Sequence, residues 1–129
     1  MKHVLILEDT LEVVAALIKE LDRIERLSGK SIDISMYSTS SAVEDIVNMQ
    51  PSDTYDVIIL DRNCKEGGSF HVLDIEKFGS EKVVSISSMP HLNEQVRSRG
   101  VEHVVDKDHG DLEGFAHAVG VHVQKILDV

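Results

Sequence analysis

Five side chains able to do chemistry follow directly on apolar runs that read as strands. Glu8 and Asp9 follow HVLIL, Asp61 follows YDVIIL, Ser87 closes KVVSIS and Lys107 follows VEHVVD. Carboxylates brought together at one sheet edge repel and raise each other's pKa values. A divalent cation relieves that repulsion. Magnesium suits the donor set, because it takes oxygen ligands and keeps waters or phosphate oxygens in its shell. Zinc is disfavoured, since no His or Cys cluster stands at these strand ends. An ammonium and a hydroxyl opposite the cation complete a charge clamp for a phosphoryl group. Asp61, between them, is then placed as a nucleophile that forms an aspartyl phosphate. Each residue alone has an ordinary reading: Glu8-Asp9 as helix N-terminal charge, Asp61 as a turn residue, Ser87 as a cap, Lys107 as a surface cation. The functional reading rests on their arrival together at successive strand ends.

The elements that must position them alternate in type. Residues 3–7, 55–61, 82–87 and 101–106 are short apolar runs of the kind that form buried strands. IDISMYS alternates, with Ile32, Ile34 and Met36 on one side, as an edge strand does. Between them, Val14, Leu17, Ile18, Leu21 and Ile24 mark a first helix capped at Thr10 and broken by Ser28-Gly29-Lys30. Val43, Ile46, Val47 and Met49 mark a second, opened at Ser40 or Ser41 and stopped by Pro51. A third is expected over 70–78, a short polar fourth over 92–99, and a last over 111–127 on Leu112, Phe115, Val119, Val123 and Ile126. Five strands separated by helices of this size imply right-handed crossovers and a parallel sheet covered on both faces. In such sheets sites form beyond the carboxyl ends of the strands.

The 129 residues suit one domain, 1–129, with no output domain. A net charge of −10 opposes non-specific binding of nucleic acid. No apolar run approaches the roughly 20 residues of a membrane span. The opening MKHVLILEDT reaches acidic residues too early for a secretory signal. A soluble cytoplasmic protein is the expectation. The single cysteine, Cys64, excludes an internal disulfide and reads as an unreactive loop thiol. The seven histidines show no common metal spacing and read as scattered surface residues.

With these residues in place the chain resembles the receiver domain of two-component response regulators over nearly its whole length. The resemblance implies a flavodoxin-like, doubly wound five-stranded sheet of order 2-1-3-4-5. It implies that Glu8 and Asp9 are the acidic pair, Asp9 binding magnesium directly and Glu8 mostly through water. Asp61 is the implied phospho-acceptor, Asn63 a metal ligand through its backbone carbonyl, Ser87 the switch hydroxyl and Lys107 the phosphoryl-pairing lysine. Ser88 fills the neighbouring position that controls access, and Ser85 is expected on the sheet's other side or as a residue that carries the register of the strand. The implied partners are a histidine kinase or phosphotransfer protein and an unidentified downstream protein, for a monomer or weak dimer that is not itself an enzyme acting on other substrates.

The sequence departs from that family at several places. Lys65 stands where a loop proline is usual, Ser69 where a glycine is usual, and Asp108 where a proline usually follows the lysine. The segment between Asp9 and Asp61 is longer than usual. Val104 replaces the aromatic that swings inward on phosphorylation, and His103 beside it belongs to the other strand face, as a surface histidine. Val13 and Ala16 on the first helix offer either a kinase-docking patch or a broad core face. Ala118, Val121 and His122 on the last offer a partner or dimer surface. The alternative to a phospho-accepting receiver is a receiver-like interaction module that works without phosphorylation. A magnesium-dependent phosphatase or nuclease is disfavoured: LEDTLE lacks a second aspartate two residues after the first, and DRN lacks the Asp-x-Asp of a Toprim site.

Overall fold

Alternation along the strands builds two cores on one sheet. The computed structural model describes residues 1–64 and 67–129, so Lys65 lies outside the described residues. The strands are β1 (Lys2–Leu7), β2 (Ile32–Tyr37), β3 (Val57–Leu60), β4 (Val83–Ser87) and β5 (His103–Asp106). All pair in parallel, in the order β2-β1-β3-β4-β5. This is the expected doubly wound, flavodoxin-like order. Val4, Ile6, Val57, Ile59, Val84, Ile86 and Val105 face one way, and Leu5, Leu7, Ile58, Leu60 and Val83 the other. The first set packs on α1 (Leu11–Ser28) and α5 (Leu112–Leu127). The second is covered by α2 (Ser40–Ala42), α3 (Ile75–Phe78), α4 (Pro90–Arg97) and the turns around them. Among the described residues, no helix is long and apolar enough to cross a membrane.

The helices differ from expectation where local capping competes with apolar spacing. Thr39, not Ser40 or Ser41, caps α2: its side chain accepts from the Ala42 N–H. The helix continues as π-helical turns over Val43–Val47, and the wider turn buries Val43 and Val47 while Ile46 and Met49 stay exposed. The single helix expected over 70–78 is split. A 3₁₀ turn covers Phe70–Val72, and Asp74 caps a new start by accepting from the Lys77 N–H, leaving α3 one turn long. α4 begins at Pro90, two residues earlier than expected, because proline suits a first helical position. On α1, Val13 is fully buried and Ile18 is exposed. Val13 and Ala16 therefore belong to a broad core face. On α5, Ala118 packs on the core and Val121 is exposed.

α1 and α5 meet through a buried polar group. Glu20 is 9% exposed, its carboxylate pairs with Arg23, and His117 Nδ1 lies 3.5 Å away. That carboxylate occupies the space that a Cβ at Gly120 would need. The glycine in α5 is thus a packing requirement, although glycine costs a helix about 1 kcal/mol relative to alanine. Gly120→Ala is expected to destabilise the protein by about 1–2 kcal/mol in urea unfolding, because Glu20 must leave its seat. In a Glu20→Ala background the same change is expected to stabilise. A gain in both backgrounds would contradict the packing role.

Candidate functional site

The carboxyl ends of β1, β3, β4 and the segment after β5 meet at one edge of the sheet. Glu8 follows β1 and is wholly buried. Its Oε1 accepts from the backbone N–H groups of Asp9, at 3.2 Å, and Thr10, at 3.1 Å, so the carboxylate is turned back on the start of α1. Asp61, after β3, is 5% exposed. Lys107 Nζ lies 2.8 Å from Glu8 Oε2 and 3.1 Å from Asp61 Oδ1. Among the described residues the Lys107 ammonium is the group set against Glu8 Oε2, while the backbone N–H groups go to Oε1. Asp9 is half-buried.

The structure therefore brings Glu8, Asp9, Asp61 and Lys107 together. Ser87, 4% exposed, joins them from β4. Its Oγ accepts from the Met89 N–H at 3.0 Å, which leaves the hydroxyl proton free to donate elsewhere. The Lys107 N–H donates to the Ser87 carbonyl at 2.7 Å, locking the lysine to the end of β4. Asp9, Asp61, Asn63, Ser87 and Lys107 all line one cleft of about 330 Å³. Asn63 forms an isolated antiparallel bridge with Ser69, which caps the turn at Phe70 by accepting from the His71 N–H. Cys64 is buried, its thiol donating to the Gly67 carbonyl at 3.0 Å.

Burial and crowding set the electrostatics. Burial, then the neighbouring Asp61 charge, pushes the Glu8 carboxyl up to about 7; the Lys107 ammonium and the Thr10 N–H offset this only in part. Burial likewise holds the Asp61 carboxyl above its ordinary range, against the pull of Lys107. Burial would lower the Lys107 ammonium, but Glu8 and Asp61 together outweigh it and raise the group. One cation thus faces two buried carboxylates, with Asp9 a third at the rim. Oxygens of Glu8, Asp9 and Asp61 lie within 4.8 Å of one another. An all-oxygen set of three acidic groups facing a single ammonium fits a hard divalent cation such as magnesium.

Two groups at this edge escape the sequence reading, and one placement is corrected. His109 lines the same cleft, and its Nε2 is 3.0 Å from Ser88 Oγ. Asn93 on α4 is 3% exposed and hydrogen-bonds Ser85. Ser85 therefore faces α4, on the same side as Ser87, and not the opposite side of the sheet; two residues along a strand return to one face. Val104 pairs in register with Ser85 and packs toward the same layer. His103 does point to the other face, but it is half-buried and bonded to His122 of α5, Nδ1 to Nδ1 at 2.8 Å. It is not a free surface histidine, and His122 is not a free surface either.

No family model matches the chain, and no curated protein matches it. Solved structures do. A response regulator receiver domain from Rhodospirillum rubrum superposes with a TM-score of 0.64 at 17% identity, over 97% of this chain and 94% of that one. A response regulator receiver protein from Burkholderia phymatum gives 0.64 at 17%, over 100% and 97%. The bacteriophytochrome response regulator RtBRR gives 0.65 at 20%, over 95% and 78%. The chain has the receiver-domain fold. At these identities the likeness establishes the architecture, and activity has to be argued from the site.

The raised carboxyls make the metal-free protein pH-sensitive. Glu8 has an ordinary value of 4.5 and a folded value of about 7, so the folded state binds more protons in that interval. The stability that Glu8 contributes is fully present below about pH 4.5 and is lost as pH rises through 7, by up to about 3 kcal/mol. Asp61 is raised too and acts in the same direction. The raised Lys107 loses its contribution only above its ordinary value of 10.5, outside this window. His71, lowered by burial to about 4, and His122, also lowered, act in the opposite direction in the same window. The expected result is therefore a urea midpoint that falls between about pH 5 and pH 7.5 relative to that of Glu8→Gln, in which the histidine contributions are the same, with recovery on adding magnesium. Equal slopes in both proteins would rule the assignment out.

Proposed function

We propose that the chain is a phospho-accepting receiver domain, with Asp61 the residue phosphorylated. The observation that carries this reading is the buried triad of Glu8, Asp61 and Lys107, with Ser87 at its side, at the strand ends of a receiver fold. A carboxylate oxygen of Asp61 attacks the phosphorus of a phosphohistidine on a kinase or phosphotransfer protein. A P–O bond forms, the P–N bond breaks, and its electron pair returns to the imidazole ring. The Lys107 ammonium, already beside Asp61, stays to pair with a phosphoryl oxygen, and the Ser87 hydroxyl donates to another. Glu8, Asp9, Asp61 and the Asn63 carbonyl are the groups that would hold magnesium. Bound there, the ion supplies charge neutralisation for the transferring group. On this reading the chain catalyses only its own phosphorylation and dephosphorylation, in the cytoplasm, and reports the event to a protein partner.

Val104, in place of the aromatic that resemblance leads one to expect, favours a second reading: a protein-interaction module that works without phosphorylation. The two separate on one residue. Asp61→Asn is expected to abolish magnesium-dependent labelling by acetyl phosphate and binding of beryllofluoride. Lys107→Ala is expected to slow labelling roughly a hundredfold or more, as loss of a preorganised charge at a reacting oxygen does. Retained labelling in Asp61→Asn would overturn the assignment. Partner binding that is identical in wild type and Asp61→Asn, with or without acetyl phosphate, would select the second reading.

A further inference from the structure

We propose that Asn93 is a positioning residue for the Asp61 site, setting Lys107 through the end of β5 and tying that setting to the seat of α4. The proposal rests on the reading of Asp61 as phospho-acceptor. Asn93 is a buried amide on the face of α4 that packs on the sheet, near Val96, which is 1% exposed. Its Oδ1 accepts from Ser85 Oγ at 2.9 Å, a fully buried bond. Its Nδ2 donates to the Val105 carbonyl at 3.2 Å and to Asp106 Oδ1 at 2.9 Å. A backbone carbonyl and a carboxylate can only accept, so the orientation of the amide is fixed by its partners.

The placement of those partners gives the network its meaning. Ser85 lies two residues before Ser87 on β4, and Asp106 lies one before Lys107. Ser87 and Asp106 are partners in the β4–β5 register, and the Lys107 N–H bonds the Ser87 carbonyl. Asn93 therefore grips both strands just short of the two groups that would touch the phosphoryl oxygens. The face around it is otherwise apolar: Val83, Val96 and Val101 are all buried in this layer. A buried network of this kind is stable when every member is satisfied and costly when one is lost. A shift of α4 that breaks these bonds leaves the buried Ser85 hydroxyl or the Asn93 amide short of a partner. The position of the Lys107 strand end and the seat of α4 are thus coupled. By reciprocity, whatever occupies the Asp61 site changes the hold on α4, and loss of that hold changes affinity at the site.

The test is calorimetric titration of the full chain with beryllofluoride in the presence of magnesium. Asn93→Ala is expected to weaken binding about tenfold, within the usual range of site-to-site coupling. Val96→Ala loosens the same helix by packing alone. It is expected to lower the melting temperature comparably and to leave affinity within about twofold. Ser85→Ala removes only the buried bond to Asn93 Oδ1 and is expected to weaken binding about threefold. It carries the test should Asn93→Ala fail to fold. Affinity unchanged in Asn93→Ala or Ser85→Ala, or an equal loss in Val96→Ala, would overturn the positioning role. Wild-type protein that does not bind beryllofluoride at all would instead sink the phospho-acceptor reading, and the proposal with it.

Discussion

The ammonium of Lys107, shared between Glu8 and Asp61, is the contact on which the arrangement at the sheet edge depends. Two carboxylates taken out of water together are costly, and a single cation cannot neutralise both. The remainder shows in the titration of the site: Glu8 and Asp61 are both raised despite the lysine. Removing Lys107 would leave two like charges buried with no counter-charge among the groups described at the site. Keeping it leaves a net demand for positive charge, directed into a cleft that also holds Asp9. A site with an unmet demand for a cation and a nucleophilic carboxylate inside it is suited to receive a group whose transfer needs charge neutralised.

The topology makes a lysine the fitting residue for this task. Glu8 follows β1 and Asp61 follows β3, which are neighbours, while Lys107 follows β5 at the far edge, with β4 between. The cation must cross over the end of β4 to reach both acids. A four-carbon stem spans that gap, and the side chain is only 6% exposed along its length. Crossing β4 brings the ammonium past Ser87, whose carbonyl takes the Lys107 N–H. The hydroxyl, the ammonium and the two acids are therefore not independent features. They follow from one strand order and one side-chain length.

The strand ends were legible in the sequence because each apolar run stops at a charged or hydroxyl residue, and because a period of two assigns each strand residue to a core. VIIL buried on both faces and ending in Asp61 needs no tertiary information to be read. What stayed hidden were contacts between residues distant in sequence. Asn93 reads as an ordinary polar residue of a short helix until Ser85 and Asp106 are seen around it. His103 was assigned to the correct face by alternation, but nothing local marks His122, on another element, as its partner. Ser85 is a different case: it was expected on the other side of the sheet, although a period of two puts it on the face of Ser87, where the structure has it. In α3 and α2 the apolar spacing was present, but the Asp74 cap and the π-helical turn overrode it, since capping bonds act within a few residues and spacing alone does not fix the register.

Val104 and Asn93 together bear on how a strand end can speak to a helix. An aromatic that swings between two positions couples by volume, and apolar packing degrades gradually as a helix shifts. Here Val104 offers little volume, and the space between β4, β5 and α4 holds a directional polar group instead. Hydrogen bonds weaken steeply once distance and angle leave a narrow range. In a buried layer each broken bond also exposes an unsatisfied group, so partial displacement of α4 is the least favourable state. A helix held this way is either seated or released. That property matches the raised acids at the site, where a small change in charge at Asp61 is felt strongly because solvent is excluded. The polar trio beneath α4 and the ion triad at the sheet edge are, in that sense, two buried electrostatic networks joined through the two residues Asp106 and Lys107.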